Sequence, residues 1–547
     1  MKRWSAASKY LPWVVYGGLA LAVLGPLLRP GFVLTLDMVF TPQLRMPTTS
    51  SNDYVFRVLL HGLNLFIASD VIEKCLLFLV LLLSGAGMHL LVKAAGCGQT
   101  AGAYIAGIIY MVNPFTYDRF MAGQYEVLLG YALLPWFTRL LLKFLAGPGW
   151  RPAVWLAASA ALVSIVSIHT IGLLVILSAA ALCVLLWRRR GDRVWRRNVL
   201  KYGGLAAAGF VAASSYWLVP LAFGHGSVAA QLGSISSADQ SAFATAGNGL
   251  LGKVGNVVRL QGFWVEARGM YDLPQTRVPA WGLLGVMVWG LVVAGAVSLW
   301  RSGKWLTVMI FAISAFTGGL LALGVLSGWP ASHVPFLAGF REPEKFVALL
   351  ALGYALLAGF GAAAVLRYCR EQGGRVFAVG GTVLLAALPL VWTAPMLGGF
   401  GGQLRAVHYP ADWTAMNTRL GKDRSDGQTL FLPWHLYMRY GFAGRIIASP
   451  APAFFDTSAI VSDNPEFRGA ARANATPTKR ALDDLLPHAA ITSDLATRLA
   501  KLHIRYVLLA REDDYRQYSY LRQASGLQLV AKSQTLELYR NNAYEEE

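Results

Sequence analysis

The sequence predicts a mainly α, polytopic helical membrane protein with about eleven transmembrane helices, followed by a C-terminal extracytoplasmic α/β domain. Three observations carry this expectation. Of the 547 residues, 55% are hydrophobic and 14% charged, where a soluble domain carries about 25% charged residues. Apolar runs of ~20 residues, the length that crosses a bilayer, recur between residues 11 and 397, with Arg and Lys clusters at many of their ends. From Arg405 onward the composition turns soluble. The chain therefore divides into a membrane domain, residues 1–400, and a soluble domain, residues 401–547.

The net charge of +19 does not point to nucleic acid, because many of the Lys and Arg residues flank apolar runs, where they set topology. The four cysteines, Cys75, Cys97, Cys183 and Cys369, lack metal-site spacing. None lies in the polar C-terminal portion, which excludes a disulfide framework there.

Lys2, Arg3 and Lys9 precede the first apolar run, residues 11–34, and place the N-terminus in the cytoplasm. That run lacks a small-residue cleavage site and reads as a retained signal-anchor. The first outer loop, 35–70, follows. Within it Val55, Val58, Leu59, Leu63 and Phe66 recur at helical spacing with Arg57 and His61 interleaved, the pattern of a helix lying in the membrane interface. Spans at 72–92 and 101–113 lead to a polar outer loop, 113–126 (NPFTYDRFMAGQYE), and a fourth span ends at Arg139 and Lys143. Spans at 155–167 and 171–187 run into Arg188, Arg189, Arg190, Arg193, Arg196, Arg197 and Lys201, the firmest cytoplasmic marker. The seventh span, 203–223, crosses to a Gly- and Ser-rich outer segment, 224–279. The eighth ends at Arg301 and Lys304, and the ninth near Ser327. Outer loop 328–346 precedes the tenth, Arg367, Arg370 and Arg375 mark the inner turn, and the eleventh, 377–397, delivers the remainder outside. In the soluble portion 429–432 and 506–509 are strand-like, 514–523 suits a short helix, and 527–530 with 536–539 suits a terminal hairpin.

Asp37, in TLDMVFTP (residues 35–42), is the leading catalytic candidate. A carboxylate at the outer end of a span is tolerated only where it faces water, a partner or a substrate. Held near the lipid–water boundary, it suits a general base that takes the proton of an acceptor hydroxyl; the plainer reading is an interfacial residue. Asp53 is the weaker alternative, which capping of the interfacial helix also explains. Asp118 and Arg119 read either as a local ion pair of small worth or as support and sugar binding beside Asp37. His169 reads as packing. In REPEKF (residues 341–346), Arg341 and Lys345 would meet a lipid-linked phosphate at headgroup level, with Glu342 and Glu344 in support. Pro343 stiffens that segment, Phe336 and Phe340 precede it, and a solvated anchor before a span is the ordinary alternative. Trp264, Glu266 and Arg268 would line a sugar-acceptor groove, because aromatic faces stack on sugar rings. Trp434, His435 and Tyr437, in LPWHLY, would help hold a glycan acceptor. The acidic residues at 483–484 and 512–514 lack D-x-D spacing, and no nucleotide-binding or H-E-x-x-H motif occurs. No metal site and no cofactor is expected; a divalent metal stays open as the less favoured alternative.

Several of these features occur together: the acidic first outer loop, the interfacial helix, NPFTYDRF with LLPW between the third and fourth spans, REPEKF, and the soluble C-terminal domain. In that combination the chain resembles the GT-C superfamily of polytopic membrane glycosyltransferases. Within it, the likeness is to actinobacterial arabinofuranosyltransferases and related polyprenyl-phosphate-sugar transferases, over residues 1–397. The resemblance implies a polyprenyl-phosphate sugar as donor, Asp37 as base, and Arg341 with Lys345 at the lipid phosphate. Members with a paired acidic motif differ, since Asp37 stands alone in its loop; this leans towards a metal-independent inverting transfer. The expected function is transfer of an arabinofuranosyl, other pentosyl or hexosyl residue to an extracytoplasmic glycan or glycolipid acceptor at the cytoplasmic membrane. One rival is a transporter or flippase for a lipid-linked glycan, which predicts internal repeats or broken helices with ionisable residues at mid-membrane. The other is a non-catalytic membrane scaffold, in which Asp37 is replaceable.

Overall fold

The computed structural model describes residues 3–48, 51–224, 232, 237–326, 333, 337, 339–422, 426–464 and 476–545. The apolar runs fold as helices because a backbone inside lipid must satisfy its own N–H and C=O groups. In chain order these are α1 (Arg3–Leu24), α2 (Tyr54–Asn64), α3 (Ser69–Ala94), α4 (Thr100–Met111), α5 (Pro114–Ala122) and α6 (Tyr125–Ala146). Then come α7 (Trp150–Val166), α8 (Ile168–Arg188), α9 (Arg193–Ala213), α10 (Ser215–Ala222), α11 (Trp281–Arg301), α12 (Trp305–Ala322) and α13 (Val347–Trp392).

Among the described residues seven helical segments are long and apolar enough to cross a membrane, and the bent pair α9–α10, at 85°, makes an eighth. The expected count of eleven differs for identifiable reasons. α4 and α7 occupy expected spans but have only 12 and 17 residues. The tenth and eleventh expected spans are the two arms of α13. Gly373 and Gly374 leave the helical conformation there, and Gly381 returns against Leu366 and Cys369, residues that a straight helix would hold about 22 Å and about 18 Å away. α11 and α13 cross closely: a Cβ on Gly295 would fall 1.8 Å from the carbonyl oxygen of Leu357, and one on Gly361 would fall 1.9 Å from that of Leu291. Small residues at such crossings let helix backbones meet where lipid supplies no hydrophobic drive.

α2 is two-faced, as its spacing predicts. Phe56 and Leu60 are buried, while Leu59, Leu63 and Phe66 stay exposed, Phe66 by 90%. The adjoining polar loop at 113–126 is a correction, because it folds as α5, buried along its whole length. Asn113 and Thr116 form a reciprocal capping box, Pro114 starts the helix, and Gly123 ends it with φ +75°. Gly123 is required twice over, since a Cβ there would also lie 2.0 Å from Thr35 Oγ1.

The C-terminal portion forms a mixed five-stranded sheet in the order β4-β1-β5-β7-β6. Its strands are β1 (Gln428–Leu432), β4 (Ala459–Ile460), β5 (Ile504–Ala510), β6 (Leu527–Lys532) and β7 (Leu536–Asn541). β1 runs parallel to β4 and β5, pairing Leu430 with Val507, and β6–β7 is the expected antiparallel hairpin. Buried parallel strands read as continuous apolar runs, which TLFL in β1 illustrates. A second hairpin, β2 (Tyr437–Tyr440) with β3 (Arg445–Ala448), reaches back to the bundle. Its Ala448 N–H donates to Leu36 O at 2.8 Å, and Phe32 bridges Val407 in both directions. One apolar core continues from Tyr16 and Val80 through Phe120, Phe400 and Trp413 to Phe431, so the sheet is seated on the bundle rather than tethered to it.

Candidate active site

Between bundle and sheet lies a cavity of about 1200 Å³, lined by the first loop, the start of α2, residues 123–127 and 167–169, Glu342, Lys345, and residues 448–459 of the sheet domain. α8 starts at this cavity and runs 21 residues to Arg188, so the heaviest Arg cluster lies about 30 Å away at the opposite end of the bundle.

Asp37 presents an exposed carboxylate to the cavity. Its backbone N–H donates to Ala122 O at 2.9 Å, fixing the loop on the end of α5. Tyr437 O–H donates to Oδ1 at 2.7 Å, and Gln124 Nε2 donates to Oδ2 at 3.3 Å. The protein around the cavity mouth partly desolvates the carboxyl and pushes it above its usual value, and Glu342 adds to this, while Tyr437, Gln124 and Lys345 pull it back.

The neighbouring polar cluster is built on Arg119, only 1% exposed. Its Nη1 donates to Gln124 Oε1 at 2.5 Å and stands 3.5 Å from Glu342 Oε2, while Nη2 stands 3.4 Å from Glu344 Oε1. The guanidinium also lies over the Phe263 ring at 4.2 Å. Lys345 Nζ completes the group, 3.3 Å from Glu342 Oε2. Burial pushes Glu342 up, but Lys345, Arg119, Arg341 and His169 outweigh it and hold the carboxyl at about 2. Asp37, Gln124, His169, Glu342 and Lys345 therefore share one lining.

Other residues expected at the site stand elsewhere. Arg341 does not reach the cavity lining; its guanidinium lies 4.6 Å over the Phe243 ring. Phe336 lies outside the described residues, as do parts of loops 224–279 and 328–346. Asp118 makes no pair with Arg119. It is buried facing the other way, accepts from Tyr271 O–H at 3.1 Å, and is pushed well up by burial and by the adjacent Glu266 carboxyl. Glu266 is raised by burial in turn, accepts from the Gly262 and Phe263 N–H groups, and borders a separate hollow of about 330 Å³. Trp264 is buried against Phe243 at 4.9 Å and under Arg268. Neither forms a groove on the main cavity, because both serve to pack the segment behind Arg119. Trp434 donates from Nε1 to Asp483 Oδ1 at 2.8 Å, and His435 Nε2 meets Asp514 Oδ1 at 3.2 Å. They stabilise the sheet domain, and only Tyr437 of LPWHLY reaches the site. Asp53 lines the cavity, but it pairs with Arg57 and makes no cap bond.

Gln124 was not singled out by sequence. Its one signal is position, immediately after the Gly that ends a capped helix. His169, read as packing, stands on the lining beside Lys345. Among the described residues no group of three or more His, Cys, Asp or Glu side chains is arranged to hold a metal ion.

Residues 62–246 match a protein-family model described as a 6-pyruvoyl-tetrahydropterin synthase related domain, membrane protein. No curated protein matches the chain by sequence. Among solved structures, the arabinofuranosyltransferase AftD from mycobacteria superposes with a TM-score of 0.66 at 16% identity, over 98% of this chain and 40% of that one. The chain thus spans about two-fifths of the length of that structure. ArnT from Cupriavidus metallidurans, in the apo state, superposes with a TM-score of 0.53 at 12% identity, covering 98% of this chain and 99% of its own. The chain resembles these GT-C proteins in fold and is an integral membrane protein of the same polytopic plan.

Proposed function

We propose that this protein is a membrane glycosyltransferase that moves a sugar from a polyprenyl-phosphate donor to an extracytoplasmic glycan or glycolipid acceptor. The observation that carries the reading is Asp37 itself, exposed on a large cavity with each carboxylate oxygen held by a separate donor and with Lys345 on the same lining. Asp37 takes the acceptor hydroxyl's proton. The acceptor oxygen bonds to the anomeric carbon, and the bond from that carbon to the phosphate oxygen breaks, leaving its electron pair on the phosphate. A carboxylate whose pKa is raised is a stronger base than an ordinary one. Lys345 stabilises the charge that develops on the phosphate; Arg341 lies over the Phe243 ring and off the cavity lining. The groups on Asp37 are an O–H and an N–H₂, which donate rather than ligate and fit a transfer that needs no metal there.

The fold likeness to glycosyltransferases supports the class of reaction, and the arabinofuranosyl, pentosyl or hexosyl identity of the sugar belongs to the test. A cavity at the sheet-domain end of the bundle supports transfer over transport, for which a site midway through the bilayer is expected. The purified protein in lipid nanodiscs, given a panel of polyprenyl-phosphate pentoses and hexoses, should release polyprenyl phosphate only when a glycan acceptor is present. Movement of the intact lipid-linked sugar across the membrane with no release would replace this reading with the flippase.

A further inference from the structure

Three nitrogens converge on a single oxygen of Glu342, one by a hydrogen bond and two as ion pairs. Lys345 Nζ stands 3.3 Å from Oε2, Gln124 Nε2 3.2 Å and Arg119 Nη1 3.5 Å. Two cations and an amide converging on one oxygen make the kind of shell that a phosphate oxygen takes. Glu342 and Lys345 both line the cavity. Among the described residues Glu342 is the carboxylate within ion-pair reach of Lys345, whereas Arg119 has a second counter-ion in Glu344. Gln124 ties this shell to Asp37. With Oε1 held by Arg119, its N–H₂ must face the two carboxylates; a flipped amide would set donors against donors and oxygen against oxygen.

We propose that Glu342 is a stand-in for the donor's phosphate: until donor binds, its carboxylate fills the place between Lys345, Arg119 and Gln124, and the incoming polyprenyl phosphodiester displaces it. This inference rests on the transferase reading. A buried cation left without a counter-ion is costly, and Glu342 keeps Lys345 paired until the donor arrives. The exchange is charge for charge, because a phosphodiester also carries one negative charge. Asp37, faced by Tyr437, Gln124, Glu342 and Lys345, therefore keeps an anion on that side before and after binding. When the bond to the sugar breaks, the phosphate's charge rises from one to two as the acceptor proton passes to Asp37, and the same three donors meet the added charge. Glu342 is thus a positioning residue that touches no reacting atom.

The test uses the full chain in nanodiscs and a sugar-free polyprenyl phosphate. Glu342→Gln keeps the shape and still accepts from Gln124 but carries no charge. It should bind this lipid about fivefold more tightly, or better. Glu342→Asp, which draws the carboxylate back by one methylene, should shift binding the same way. In Glu342→Gln the acid limb of kcat/KM for donor should move to lower pH, because the free enzyme has lost an anion beside Asp37. The acid limb of kcat should stay, because there the phosphate supplies that anion. Equal or weaker binding in both variants at unchanged Tm is what a residue without this stand-in role would give, and that result overturns the exchange. Full turnover by Asp37→Asn alongside tighter binding by Glu342→Gln would remove the base assignment and leave the exchange standing.

Discussion

Tyr437 sets how strong a base Asp37 is. Its O–H donates to one carboxylate oxygen at 2.7 Å and is the largest of the influences that lower an otherwise raised carboxyl. Tyr437→Phe removes that donor while keeping the ring. The Asp37 carboxyl, already above its ordinary value, should rise further, so the proton leaves it only at higher pH. The acid limb of the pH–rate profile should accordingly move up. The shift should be about one pH unit or more, since a hydrogen bond to a charged group is worth about 1.5–3 kcal/mol and one pKa unit is about 1.4 kcal/mol. An unmoved limb would detach Tyr437 from the base. At this scale the sequence was half legible. Asp37 and Lys345 announce themselves as charges at the edges of apolar runs. That Arg119 serves Glu342 and Glu344 rather than Asp118, its neighbour in the chain, is a tertiary fact which local spacing does not encode.

α5 shows what patterning hides. A stretch with Asn113, Thr116, Asp118, Arg119 and Gln124 looks like a solvated loop, yet its polar groups find partners inside the protein, and a polar group with a partner can be buried. Asn113 accepts from Thr116 N–H at 3.1 Å and donates to Ile109 O, Tyr110 O and the Tyr131 hydroxyl. The capping box itself was present in the letters N-P-F-T and is the signal that would have marked a helix. Asn113→Ala should cost about 1–3 kcal/mol, from the lost cap and from the orphaned buried groups, seen as a lower melting temperature. Because Ala122 and Gly123 at the far end of α5 seat the Asp37 loop, the same variant should lower kcat more than it weakens donor binding. An unchanged ratio would show that α5 does not position the base. The strands were more legible than the helix, since β1 and β5 contain the short apolar runs 430–432 and 506–510. The hairpin at 437–448 was not, because its two strands of four residues alternate only briefly.

The whole molecule brings together four segments far apart in sequence: the first loop, the α5–α6 junction, residues 342–345, and the β2–β3 hairpin of the sheet domain. A core running from Tyr16 to Phe431 holds them in register, so the sheet domain completes the site by supplying Tyr437. The polytopic plan and the soluble C-terminal portion could be read from hydropathy and charge, because bilayer thickness imposes run length. The span count could not be settled so simply, because α4 and α7 stop short and α13 doubles back at two glycines. The convergence of Asp37, Gln124, Glu342 and Lys345 on one cavity depends on packing alone. Its meaning is most directly tested by single-turnover transfer in Asp37→Asn with donor already bound. The variant should hold donor as the wild type does and transfer sugar about 10²–10⁴-fold more slowly, the range for loss of a general base. Wild-type transfer by Asp37→Asn would contradict the assignment of Asp37 as the group that takes the acceptor's proton.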